Sequence, residues 1–138
     1  MGWIDYQKAY DLVPHSWILK TLEMVGVSEN VRKLMEESMK KWNTVLECGG
    51  RDLASVEIKR GIFQGDSLSP LLFIICLIPL SVMLRDAKQG YTLNRPQPGK
   101  VNHLLYMDDL KLYGKNKNEL ESLVQTVRIF TQDVRMKF

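Results

Sequence analysis

Two carboxylates stand side by side at Asp108-Asp109, between the apolar runs Leu104-Leu105-Tyr106-Met107 and Leu110-Lys111-Leu112-Tyr113. Adjacent acids repel each other and add nothing to the burial of their hydrophobic flanks, so a nearby cation is the chemical reason to keep them there. Hard divalent ions such as Mg²⁺ take one or two carboxylates and complete their shell with water and substrate phosphates, which suits an Asp pair on a rigid element to phosphoryl transfer. The competing reading is a solvated turn, because Asp is common in turns. A third acid, Asp5, follows the short apolar stretch Trp3-Ile4; taken alone it reads equally as an exposed acid at a strand end. His15 and His103 have no partner at metal-ligand spacing and read as structural.

The elements that must position these acids follow from periodicity. Around Asp108-Asp109 an apolar run, a tight turn and an alternating run predict a β-hairpin with both acids at its tip, Leu110 and Leu112 to one side and Lys111 and Tyr113 to the other. Residues 1–6 read as the end of a strand and 5–11 as a loop. Pro14-His15-Ser16 opens a helix over 16–25 that Gly26 closes. Ser28 is the expected N-cap of a second helix reaching about Trp42, with Val31, Leu34, Met35 and Met39 as its buried stripe. Thr44–Cys48 and Leu53–Ile58 flank Gly49-Gly50 as a second hairpin. A glycine-bearing loop, 60–67, leads into a long helix over 67–87, capped by Asp66, Ser67 or Ser69, with Pro70 in its first turn and a kink at Pro79. A polar loop over 94–100 precedes the Asp-Asp hairpin. The last helix spans 118–135, with Glu121 in a capping box and Leu120, Leu123, Val124, Val127, Phe130 and Val134 inward. Trp3, Trp17 and Trp42 read as core.

Composition sets the limits. The 138 residues are 45% hydrophobic, enough for one globular domain over 1–138 with a core of its own. A net charge of +3 permits an acidic partner without demanding one. Cys48 and Cys76 stand far apart with no CxxC or Cys/His spacing, which argues against a zinc site and a disulfide framework and for reduced thiols inside the cell. The longest uncharged apolar stretch, residues 71–84, falls short of the roughly 20 needed to cross a bilayer, so it reads as a core helix and no membrane partner is expected.

Three blocks in order carry a resemblance. Asp5-Tyr6-Gln7-Lys8-Ala9-Tyr10-Asp11 with Val13-Pro14-His15 resembles polymerase motif A. Gly61-Ile62-Phe63-Gln64-Gly65-Asp66-Ser67-Leu68-Ser69-Pro70-Leu71-Leu72-Phe73 resembles motif B, and Tyr106-Met107-Asp108-Asp109 resembles motif C. Together they look like the palm of a reverse transcriptase, most closely that of the non-LTR, LINE-type retrotransposons; group II intron maturases and retrons are the nearest rivals. The fold class implied is α+β, an antiparallel sheet with helices packed chiefly on one face.

The resemblance implies an RNA-directed DNA polymerase, with RNA template, DNA primer and dNTP as partners and two Mg²⁺ ions as cofactors, Mn²⁺ a substitute. Asp5 and Asp108 match the carboxylates that hold both ions and Asp109 the supporting acid; Asp5 and Asp108 lie more than a hundred positions apart, so only folding brings them together. Gln64 and Gly65 match the turn whose backbone approaches a nucleotide. Tyr10, five residues after Asp5, matches the ring that excludes the 2′-hydroxyl of RNA precursors, with a core aromatic as the alternative. Tyr6, Tyr106 and Met107 fall among the substrate-contacting positions. Asp11 reads as structural rather than as a metal ligand. Lys59 and Arg60 stand open between phosphate contacts and solvated surface.

The same resemblance implies fingers and thumb segments, largely missing from this partial palm, and an endonuclease module that is not seen. Localisation is expected to be intracellular, in nucleus or cytoplasm. Two readings stay open: a catalytic core complete in its metal site, or a non-catalytic remnant of a retroelement that binds nucleic acid weakly at most. Because positioning of template and triphosphate is most of what such enzymes contribute, residues 1–138 alone are expected to extend a primer on poly(rA) negligibly, measured with dTTP and Mg²⁺.

Overall fold

The computed structural model describes residues 1–6, 8–93 and 99–136. In chain order the elements are β1 (Gly2–Asp5), α1 (His15–Met24), α2 (Glu29–Met39), β2 (Asn43–Cys48), β3 (Arg51–Glu57), α3 (Ser69–Asp86), β4 (Tyr91–Leu93), β5 (Gly99–Val101), β6 (His103–Tyr106), β7 (Asp109–Leu112) and α4 (Lys117–Asp133), with a 3-10 turn at Tyr10–Leu12. The fold is α+β with small antiparallel sheets and four helices, as the resemblance implies.

The central sheet has the order β1-β7-β6, both pairings antiparallel. Its register follows from burial. Ile4 lies opposite Leu110, and these two with Leu112 are buried on the face covered by α3 and α4. The period of two then turns Trp3, Asp5, Asp109 and Lys111 to the other, exposed face.

Trp3 therefore corrects the expectation of a core residue. It is 65% exposed, and the Lys111 ammonium sits 4.2 Å over its ring, a cation–π contact in place of burial. Trp17 behaves as expected: half-buried, it meets Phe130 edge-on at 5.7 Å and donates Nε1–H to the Cys76 carbonyl. Neither cysteine is paired; Cys48 is exposed and Cys76 is buried, its thiol pushed up to about 11 by burial.

α3 runs unbroken through Pro79 and is apolar all round. Phe73, Cys76, Leu77, Leu80 and Leu84 are fully buried against α1 and α4 while Leu71, Ile74, Ile78 and Val82 remain exposed. Its entry differs in detail from the expected cap. Ser69 is the first helical residue and Leu68 the N-cap, while Asp66 accepts a hydrogen bond from the Leu68 N–H at 2.7 Å and ends the loop as an Asx turn.

α1 ends as expected, with Gly26 at φ +81 and the Val27 N–H bonded to the Leu22 carbonyl. In α2, Ser28 is the N-cap but its hydroxyl makes no cap bond, and the helix ends at Met39 rather than near Trp42. Of its expected stripe only Met39 is buried and Met35 partly so; Val31 and Leu34 are exposed, because among the described residues α2 packs chiefly on α1. Gly49 and Gly50, at φ +60 and +73, turn β2 into β3 as a type I′ hairpin, every residue of which is exposed. The polar loop over 94–100 falls mostly outside the described residues, and the strands β4 and β5 that flank them were not anticipated.

α4 begins one residue before the expected start and is capped by different residues. Asn116 Oδ1 accepts from the Glu119 N–H at 2.9 Å, and Glu119 Oε2 accepts in return from the Lys115 N–H at 2.9 Å. Asn116→Ala is expected to cost about 1 kcal/mol, as for other cap deletions, while Glu121→Ala stays within about 0.5 kcal/mol. Urea denaturation of the two variants measures the difference.

Candidate active site

Three segments distant in the chain line one open cavity of about 620 Å³. Tyr6, Lys8, Ala9 and Tyr10 come from the loop after β1, Gln64, Gly65, Asp66, Ser69 and Pro70 from the entry to α3, and Asp108 from the β6–β7 turn. Five of the sequence-derived site residues, Tyr6, Tyr10, Gln64, Gly65 and Asp108, thus share one concavity.

Backbone pairing holds the first two segments together. The Ile62 N–H donates to the Tyr10 carbonyl at 2.9 Å, the Gly61 N–H to the Val13 carbonyl at 2.8 Å, and Pro14 and Arg60 form an isolated bridge. Gly61 has φ +95, and a Cβ there would lie 2.9 Å from the Asp11 carbonyl oxygen, so only glycine allows this approach. His15 supports the junction by donating Nε2–H to the Gly61 carbonyl at 3.0 Å and meeting Trp42 edge-on at 5.1 Å. Burial holds its imidazole below the usual range, against the opposing effect of that hydrogen bond, which leaves it neutral and structural at pH 7.

Tyr10 opens the 3-10 turn and its ring stacks on Phe73 at 4.7 Å with planes 19° apart. It is at once packed on the core from one side and exposed to the cavity from the other, so the two readings of this ring are not exclusive. Tyr6 is buried, and burial pushes its phenol well above the ordinary range, which keeps the hydroxyl protonated. Gln64 donates Nε2–H to Asp11 Oδ1 at 3.4 Å, so Asp11 contacts a candidate site residue, and no Lys8–Asp11 ion pair is present among the described residues. Gly65 stands at φ +90 with nothing within 4 Å of its missing Cβ, so its backbone is open toward the cavity.

The acids are divided. Tyr106 pairs with Asp109 across the hairpin, so the tip consists of Met107 and Asp108 while Asp109 begins β7. This corrects the expectation that both acids sit at the tip. Met107 takes φ +53, a conformation that costs a non-glycine residue of order 1 kcal/mol and is held by the flanking strand pair. Asp5 and Asp109 are direct cross-strand partners on the exposed sheet face. Side chains so placed have Cβ atoms roughly 5 Å apart, and like charges there repel. Asp5, Asp109, Tyr106, which is 76% exposed, and Met107 do not line the cavity.

No ion pair among the described residues involves Asp5, Asp108 or Asp109. Nor do the described residues contain a group of three His, Cys, Asp or Glu side chains gathered for a metal. An all-protein cage is therefore absent from them. The donor set is nonetheless of the right chemistry: hard carboxylate oxygens without protein counter-ions suit a cation whose shell is completed by water and phosphate.

Lys8, Ala9, Asp66, Ser69 and Pro70 also line the cavity and were not among the expected site residues. Asp66 and Ser69 were read as helix caps. Ser69 in fact donates its hydroxyl to the Phe63 carbonyl, folding the motif B loop onto the helix entry. Lys8 carries a signal in its place between Asp5 and Tyr10, a basic residue on the same loop as the first acid.

The sequence model for the reverse transcriptase (RNA-dependent DNA polymerase) domain matches residues 3–138. The chain belongs to the reverse transcriptase family, of the non-LTR retrotransposon kind. It is 32% identical over 109 residues, 79% of its length, to a retrovirus-related Pol polyprotein from type-1 retrotransposable element R2 of Popillia japonica, and 33% identical over 129 residues, 92% of its length, to a second such polyprotein of that beetle. With the Pol polyprotein from the type-2 element R2DM of Drosophila melanogaster it shares 27% over 137 residues. The chain spans 18% of the two beetle polyproteins and 12% of the fly one.

Proposed function

We propose that this chain is the palm core of an RNA-directed DNA polymerase that joins a dNTP to a primer 3′-hydroxyl on an RNA template, and that the 620 Å³ cavity is its nucleotide site. The observation that carries the reading is the meeting of Tyr10, Gln64 and Asp108, from three distant segments, on that one concavity. Family membership supports it, and divalent metal ions are a general need of the family.

Asp5 and Asp108 would hold two divalent ions, Mg²⁺ or Mn²⁺, with Asp109 in support. When bound, such ions lower the pKa of the attacking hydroxyl and take up charge on the leaving pyrophosphate. The chain's own residues orient the nucleotide. Gly65 offers a backbone without a side chain, and Lys8 a cation at the cavity wall. Tyr10, fixed in tilt by Phe73, presents its ring to the sugar and collides with a 2′-hydroxyl. Rejection by collision discriminates against a larger substrate more strongly than a lost contact discriminates against a smaller one.

The test is sugar selection. In a polypeptide that carries these residues together with flanking polymerase regions, Tyr10→Val is expected to raise rNTP incorporation relative to dNTP by at least about tenfold, about 1.4 kcal/mol, with Mg²⁺ dependence intact. Equal loss of both substrates at unchanged selectivity would assign Tyr10 to packing and remove the nucleotide from this cavity.

A further inference from the structure

Arg60 is exposed, yet its guanidinium is engaged with backbone. Nε–H donates to the Leu12 carbonyl at 2.8 Å, and a terminal amino group donates to the carbonyl of Arg135. Leu12 ends the 3-10 turn that Tyr10 begins. Arg135 follows the C-terminus of α4, where carbonyls without helical partners carry partial negative charge and favour a cation. The turn is otherwise held by backbone bonds, Leu12 N–H to the Lys8 carbonyl and Ile62 N–H to the Tyr10 carbonyl, and by the longer bond from Gln64 Nε2–H to Asp11 Oδ1. Among the described residues Arg60 supplies its one cationic side-chain hydrogen bond, and ties it to Arg135 just past the end of α4.

We infer that Arg60 is a positioning residue for sugar selection: by joining the end of the Tyr10 turn to the end of α4, it sets how far the Tyr10 ring stands into the nucleotide cavity. This rests on the nucleotide site proposed above. It replaces the alternative in which Arg60 is a phosphate contact, because a planar fork that reaches two carbonyls from one group needs guanidinium geometry as well as charge. A lysine in its place keeps the charge and loses the fork, so Arg60→Lys separates the two roles.

Two measurements decide. In the 138-residue chain, Arg60→Lys and Arg60→Ala should each speed hydrogen exchange at the Leu12 and Ile62 amides by at least about fivefold, with the core amides of α3 unchanged. In the polypeptide with flanking polymerase regions, both variants should shift the rNTP to dNTP ratio by at least about threefold while the salt dependence of template–primer binding stays as in wild type. The inference is overturned if Arg60→Lys keeps wild-type exchange and selectivity, or if Arg60→Ala lowers the salt slope by about one, the mark of a lost phosphate contact. Unchanged selectivity in Tyr10→Val overturns the sugar gate itself, and with it the part given to Arg60, even where the exchange data show the staple; faster exchange with wild-type selectivity, while Tyr10→Val does shift the ratio, overturns the inference alone.

Discussion

Asp108→Asn is expected to lower DNA synthesis by about two to four orders of magnitude in a polypeptide that carries these residues with flanking polymerase regions. The magnitude follows from charge: an amide keeps the shape and one oxygen but removes a full negative charge from the place proposed to hold cations. Breaking a well-placed charge pair costs about 3–5 kcal/mol, and each 1.36 kcal/mol on a barrier is tenfold. Asp109→Asn should cost less than Asp108→Asn, because the supporting part is the one proposed for Asp109, which, like Asp5 and unlike Asp108, stands outside the cavity lining. Removing one member of the Asp5–Asp109 pair also relieves a like-charge repulsion, so Asp109→Asn is expected to leave stability unchanged or slightly raised. Single-turnover primer extension over a Mg²⁺ series measures the rates. Equal losses at both positions would remove the distinction between a holding and a supporting acid.

The second large effect is on stability. Phe73 is fully buried at the middle of the core and is the surface on which Tyr10 stacks. Phe73→Ala is expected to destabilise the chain by about 3–5 kcal/mol, the transfer loss plus the cavity left behind. Leu71→Ala, on the exposed side of the same helix, should stay within about 0.5 kcal/mol. Urea denaturation gives both values, with unchanged m for a two-state comparison. Because the stack also orients Tyr10, a milder Phe73→Leu that still folds is expected to relax sugar selection in the same direction as Tyr10→Val. A small stability cost for Phe73→Ala would mean that α3 repacks around the gap.

What was legible in the sequence was local. The two apolar runs around Asp108-Asp109 announced a hairpin, and Gly49-Gly50 between alternating strands announced another. Gly26 marked a helix end because only a residue free to adopt positive φ can close it that way. Register was not legible. Whether Asp109 belongs to the turn or the strand depends on its pairing with Tyr106 and with Asp5, the latter more than a hundred positions away. The cap of α4 shows the same limit at short range. Asn116 with Glu119 and Asn118 with Glu121 offer the same spacing, and the choice is made by Glu119, which also accepts from the Gly90 N–H at 3.3 Å. Trp3 was misread because an aromatic in an apolar strand signals burial, whereas its cross-strand partner is a lysine. In the site, residue chemistry pointed to Asp108 and the family resemblance to Tyr10 and Gln64, but the tie between the motif A loop and Gly61 is a backbone contact that no side-chain pattern records.

The pairing of Gly2 with Leu112 has a consequence for how the chain is made. Before β1 and β7 can meet, a loop of about 110 residues must close, at an entropic cost that only the finished sheet repays. The hairpins and the α1–α2 pair have no such cost and can form while the chain is still being synthesised. During translation Asp5 precedes its cross-strand partner Asp109 by about a hundred residues and has no strand partner until β7 has been added. The acids of the site thus come together only once β7 has been made, and α4, which packs on β7 and α3, follows. A ribosome that stops between α3 and β7 releases a polypeptide with the first three helices and the β2–β3 hairpin but without the central sheet or α4, its α3 apolar on every side and open to chaperone or aggregate.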